Sequence, residues 1–192
     1  LRGPVGVARV LLDTQGEATP ASLHAAIKAG RSVATNSAQL AFEIGGQGPG
    51  GTVSMAKPGK VKYRIAMRSI VPMQHVEVVQ GGKVVATLAP GASVDAEGEV
   101  ELKESGWLVL RAWNEGADPL VFDIYPYAST SPIYVEVAGA KARSPADAEY
   151  FVRWLDRNLE SASARTDYNS DREKQRVLDY LRQAKAKFEA QQ

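Results

Sequence analysis

Between residues 31 and 137 apolar side chains recur at every second position, which restricts this stretch to strands with one buried face. The clearest run is Val61-Lys62-Tyr63-Arg64-Ile65-Ala66-Met67-Arg68, where apolar residues alternate with mostly cationic ones. Residues 40–44 read as a strand that leads into the loop Gly45-Gly46-Gln47-Gly48-Pro49-Gly50-Gly51. Residues 76–80 and 83–88 flank Gly81-Gly82, and two glycines accept the positive φ of a primed turn, so a hairpin is predicted. Residues 100–103 and 107–113 are expected to pair across Glu104-Ser105-Gly106, and residues 133–137 close the series. Short strands at this spacing predict a mainly β fold, a β-sandwich.

Helical signals stand at both ends. Residues 5–12 read as a further strand, and then Thr19 caps a helix whose first position is Pro20 and which stops at Gly30. Leu23, Ala26 and Ile27 form its apolar face, and three turns of helix need a surface to dock on. Ser144-Pro145-Ala146-Asp147 starts another helix, with Phe151, Trp154, Leu155, Asn158 and Leu159 at helical spacing. A polar break over residues 161–169 precedes a second, with Val177, Leu178, Leu181, Ala184 and Phe188 in line. The expected organisation is a sandwich domain over residues 1–140, including a short helix near 20–29, and a two-helix hairpin over 141–192 packed on it.

Composition narrows the chemistry. The 192 residues are 44% hydrophobic and 23% charged, as in an ordinary soluble globular protein. The net charge of +1 gives no reason to expect nucleic acid or an anionic membrane as partner. No apolar run is long enough for a transmembrane helix, so no membrane insertion is expected. Two histidines, His24 and His75, and no cysteine exclude a histidine- or thiolate-rich metal site within the chain. The start at Leu1-Arg2-Gly3-Pro4, without Met or a signal-peptide pattern, is what a processed product or an excised piece of a longer protein would show.

Most candidate motifs have a plain structural reading. Gly46-x-Gly48-x-x-Gly51 matches the dinucleotide fingerprint in its letters, but Pro49 interrupts it and no helical signal follows, so a connecting loop is predicted. Asp95, Glu97, Glu99 and Glu101 alternate like a solvated strand face and lack the loop glycine of a calcium site. His24 has no acid at i+3 or i+4 to make a ligand pair, and His75 begins a strand whose neighbours the sequence does not give. For each a solvent-facing or hydrogen-bonded structural role is expected, and no nucleophile elbow is present. No catalytic residue and no metal ligand is assigned. Trp107 and Trp113, six apart, share a face, and that face is expected to be the core; with Tyr125, Tyr127 and Tyr134 they would otherwise form a sugar-binding platform. Two polar junctions, 30–37 and 128–132, close turns or present hydrogen bonds to a neighbour.

Those junctions also carry a resemblance. A short helix ending IKAGRSVATNS, a strand and loop reading LAFEIGGQGPG, a β region ending STSPIYVEV and then ARSPADAEYFVRWLDRNLE follow one another. In that order they resemble the C-terminal portion of PHP-type metallohydrolases of the CehA/McbA group, from Val5 to about Glu189. The resemblance implies a β-sandwich and helices that follow a His- and Asp-rich metal-binding domain, which carries the hydrolysis and is not within these residues. It implies a non-catalytic accessory domain, no cofactor in this chain, a divalent metal in the parent domain, and that domain of the same parent chain as partner. Arg31, Thr35, Asn36, Thr130 and Ser131 match the family's recurring polar positions and are the candidate interdomain or substrate contacts. The alternatives are a stand-alone carbohydrate- or ligand-binding sandwich and a partner-binding module that uses the helical hairpin.

Overall fold

A computed structural model describes residues 5–191. The chain divides into two compact units, residues 1–142 and 143–192. The protein is mainly β, with two sheets, one short helix near the N-terminus and two C-terminal helices.

In the first unit β1 (Arg9–Leu12) is followed by α1 (Pro20–Ala29), β2 (Ser32–Thr35), β3 (Ala38–Ile44), β4 (Thr52–Met55) and β5 (Gly59–Met73). Then come β6 (His75–Gln80), β7 (Lys83–Leu88), β8 (Gly91–Leu102), β9 (Gly106–Trp113), β10 (Tyr127–Thr130) and β11 (Ile133–Val137). The smaller sheet has the order β3-β5-β8, all antiparallel. The larger sheet is built on β9. One edge of β9 pairs with β6, which pairs with β7, while its other edge is shared by β10 near Trp113 and β11 near Trp107.

β10 and β11 behave as one strand bent at Ser131-Pro132. Ser129 lies opposite Arg111 but Ile133 lies opposite Leu108, so the bent strand carries one extra residue, a bulge. Its far edge then splits: β2, with β1 beyond it, pairs antiparallel with β10, and β4 pairs parallel with β11.

The sandwich core lies between the sheets. From the smaller sheet it takes Leu40, Phe42, Ile65, Met67, Val100 and Leu102. From the larger it takes Val76, Val78, Leu108, Leu110, Ile133 and Val135. The alternation read in the sequence is thereby seen: β3 is strictly buried-exposed, and in β8 the four acids Asp95, Glu97, Glu99 and Glu101 all point outward. The outer face of the smaller sheet is a charge ladder. Lys60 lies opposite Glu101, Lys62 opposite Glu99 and Arg64 opposite Glu97, with Arg64 Nε 2.9 Å from Glu97 Oε1.

Four local expectations are corrected. Residues 100–103 do not form a hairpin with 107–113: β8 pairs with β5 along its length, and Glu104-Ser105-Gly106 carries the chain into the other sheet. Ser105 Oγ anchors that crossing, accepting from Val137 N at 2.9 Å and donating to Ala140 O at 2.7 Å. Trp107 and Trp113 do share a face, but the outer one, because Leu108, Leu110 and Ala112 fill the core. The first strand is shorter than residues 5–12 and begins at Arg9. Helix α1 has the Thr19 cap, the Pro20 start and a left-handed Gly30 at its end, yet only Ala26 of its apolar face is buried. Leu23 is 39% exposed and Ile27 62%.

The Gly81-Gly82 hairpin is present, with both glycines at positive φ. The glycine loop joins β3 to β4, a strand rather than a helix, so it is a connection and not a dinucleotide fingerprint.

In the second unit α2 (Pro145–Ala164) and α3 (Asp171–Glu189) form an antiparallel hairpin. Ser144 and Ser170 cap the two helices as the sequence signals, but α2 runs four residues into the expected break. Leu155 and Leu178 are buried, Phe151 stacks on Phe188 with ring centroids 4.9 Å apart, and Lys185 Nζ lies 2.6 Å from Asp156 Oδ1. Tyr168 closes the joint by donating to Ala162 O at 3.0 Å.

Candidate functional site

The five residues singled out by the resemblance do not converge on one point. Arg31 precedes β2 and Asn36 follows it, roughly 16 Å apart along a strand that rises about 3.3 Å per residue. Each is engaged by backbone. Thr35 Oγ1 donates to Ala38 O and accepts from Ser37 N, closing the turn from β2 to β3. Asn36 donates through Nδ2 to Tyr125 O at 2.6 Å and accepts on Oδ1 from Tyr127 N at 2.7 Å, which fixes the entry to β10.

Thr130 and Ser131 hold the bend. Thr130 is buried and its Oγ1 accepts from Leu110 N at 3.1 Å, satisfying a β9 donor where the bulge interrupts the ladder. Ser131 N donates to Ser32 O at 2.8 Å, and the two seryl hydroxyls lie 2.7 Å apart. On the next residue, Pro132 O accepts from Gly50 N at 2.8 Å. Both branches of the larger sheet and the glycine loop therefore meet at this one bend.

Arg31 differs from the other four. Its backbone N donates to Ala26 O and its carbonyl accepts from Asp13 N, both at 3.0 Å. Its side chain donates from Nε to Asp13 O at 3.1 Å, and its Nη groups make no hydrogen bond or ion pair to the described residues.

A second cluster occupies the outer face of the larger sheet, where residue-by-residue reading missed it. Register brings Tyr127, Trp113 and His75 into one row and Ser129, Arg111 and Glu77 into the next. His75 stacks on Trp113 with centroids 4.0 Å apart. Glu77 is buried, and its Oε2 accepts from Arg111 Nε at 2.7 Å and from Trp113 Nε1 at 3.2 Å. Burial pushes the Glu77 carboxyl up, but the hydrogen bonds from Trp113 and Arg111 and the guanidinium charge outweigh it and hold the group below the usual carboxylate range. Glu77 and Arg111 are the single charged residues of β6 and β9, a signal the sequence did offer.

Further along the same face Trp107 and Tyr134 are paired across strands and exposed, and Tyr125 and Tyr127 are exposed at the Trp113 end. A depression of about 360 Å³ lies among Arg111, Trp113, Glu115, Tyr125 and Tyr127. Such a face can stack on a flat apolar ring and hydrogen-bond its rim.

Among the described residues no group of three His, Cys, Asp or Glu is placed to hold a metal ion. His24 is exposed on α1. No described helix is long and apolar enough to cross a membrane. No protein-family model, no curated protein and no solved structure matches this chain.

Proposed function

We propose that this chain is the accessory β-sandwich domain of a larger PHP-type metal-dependent hydrolase, non-catalytic by itself, which braces the metal-binding domain of the same parent chain. The observation that carries this reading is the bare face of α1. A three-turn helix is marginal in water without a partner surface, yet Leu23 and Ile27 are exposed, and so is Val10 on β1. Apolar side chains left open on a helix that needs docking are what a neighbouring domain covers. The order of sequence motifs supports a PHP-type metal-binding domain as that neighbour. Thr35, Asn36, Thr130 and Ser131 serve this role as scaffold, since they position turns and the bent strand.

Two measurements test the reading. The chain assayed alone with added zinc or manganese is expected to show no hydrolysis above the buffer control; metal-dependent turnover overturns the proposal. Ile27→Asp is expected to leave the melting temperature of this chain unchanged and to lower that of the parent carrying the metal-binding domain. Equal shifts in both would assign Ile27 to the packing of this chain alone.

A carbohydrate-binding sandwich is the second reading, and the outward-facing rings of Trp107, Trp113, Tyr127 and Tyr134 favour it. Soluble oligosaccharides should then change the tryptophan emission of a Trp154→Phe variant. No change, together with poor acrylamide quenching of Trp107 and Trp113, removes this reading.

A further inference from the structure

A cavity of about 560 Å³ opens at the edge of the sandwich, between β1 of the larger sheet and β3 of the smaller. Its lining is mixed, with apolar surface from Leu11, Val33, Leu40 and Phe42 and polar surface from Asp13, Arg31 and Gln47. The end of α1 and the glycine loop form its rim, and Arg31 stands in that rim. The volume is that of a small-molecule site rather than a packing defect.

The rim is built in advance. Gly50 has φ +82° and approaches α1 so closely that a Cβ there would collide with Ala29 O. Gly50 N is bonded to Pro132 O, so the loop is tied to the helix end on one side and to the bent strand on the other. Arg31 is held by both backbone groups and by Nε. Its Nε partner is a neutral carbonyl, and no described carboxylate lies within ion-pair distance. The guanidinium is thus fixed in place without a direct ion pair, its Nη donors unused among the described residues. Asp13, also in the lining, uses Oδ1 to accept from Gln15 N at 2.9 Å.

A guanidinium with free donors selects a carboxylate, and the apolar part of the lining behind it favours a hydrocarbon body. We propose that this cavity binds a small organic carboxylate, its anionic head on Arg31 and its apolar body against Leu40 and Phe42. This inference is independent of the accessory-domain reading.

Titration of the ¹⁵N-labelled chain with hexanoate, hexanol and hexylamine tests it. Hexanoate is expected to give saturable shifts at Arg31, Gly48, Gly50 and the β3 amides, hexanol weaker ones at the same amides, and hexylamine none. Arg31→Gln should weaken hexanoate about tenfold and bring it level with hexanol. Leu11→Trp, at a half-buried lining position on the edge strand β1, should abolish binding of both while leaving Arg31 in place, and the spectrum itself reports that each variant is folded. The proposal is overturned by unsaturable or absent shifts, by shifts that map to the outer aromatic face, by equal binding of hexanoate and hexylamine, or by an unchanged response in both variants.

Discussion

The two sheets bury their inner faces by the same alternation and present opposite surfaces to water. On the smaller sheet the outward positions of β5 and β8 are Lys60, Lys62, Arg64 and Arg68 against Asp95, Glu97, Glu99 and Glu101. On the larger sheet the outward positions of β9, β10 and β11 include Trp107, Trp113, Tyr127 and Tyr134. A ladder of alternating sign is satisfied within its own sheet and discourages edge or face association. Rings leave a surface that gains by being covered. The comparison separates a face that is finished from one that is available.

Variants can break that contrast, beginning with the core both faces depend on. Leu110→Ala removes a fully buried side chain of β9 and should cost about 2–5 kcal/mol in chemical denaturation. Glu77→Gln, on the outer face of the same sheet, should cost about 1–3 kcal/mol because the buried carboxylate's charge-assisted bond to the half-buried Arg111 is lost. Its signature is pH. The folded carboxyl titrates below its unfolded value, so the native advantage over Glu77→Gln is full above the unfolded value of about 4.3. That advantage should be lost as pH falls through the lower folded value, and a pH-independent difference would contradict the network. Trp107→Ala, although it deletes a larger side chain than Leu110→Ala, should cost only about 0.2–1 kcal/mol, the worth of its pairing with Tyr134. Smallest is Arg64→Glu on the charge ladder, where both partners are exposed: a slight fall in melting temperature that added salt erases.

Local chemistry was legible before the structure. The Thr19 and Ser144 caps, the Pro20 and Pro145 starts, the left-handed Gly30 and the Gly81-Gly82 turn each rest on contacts within a few residues. Alternation also told which residues share a face. It could not tell which face turns inward, because in β9 both sets are largely apolar: Trp107 and Val109 on one side, Leu108 and Leu110 on the other. Pairing was the second blind spot. Glu104-Ser105-Gly106 looks like a hairpin turn, yet β8 is committed to β5 from Ser93 to Leu102, so the connector crosses between sheets. For the candidate residues, polarity at the junctions was visible. That Asn36 answers to Tyr125 and Tyr127, or Thr130 to Leu110, required contacts from 20 to 91 positions away in sequence. The cavity was out of reach for the same reason, since its lining comes from residues 11–13, 15, 29, 31–33, 40–42 and 47–51.

The bend at Ser131-Pro132 has a consequence for the order of assembly during synthesis. Among the described residues β4 pairs only with β11, and the β1-β2 pair joins its sheet only through β10. The N-terminal strands therefore emerge from the ribosome long before the segment that recruits them. Between the synthesis of β4 and that of β11 these edges wait without their partners, and closure of the larger sheet is set by that sequence separation rather than by local propensity.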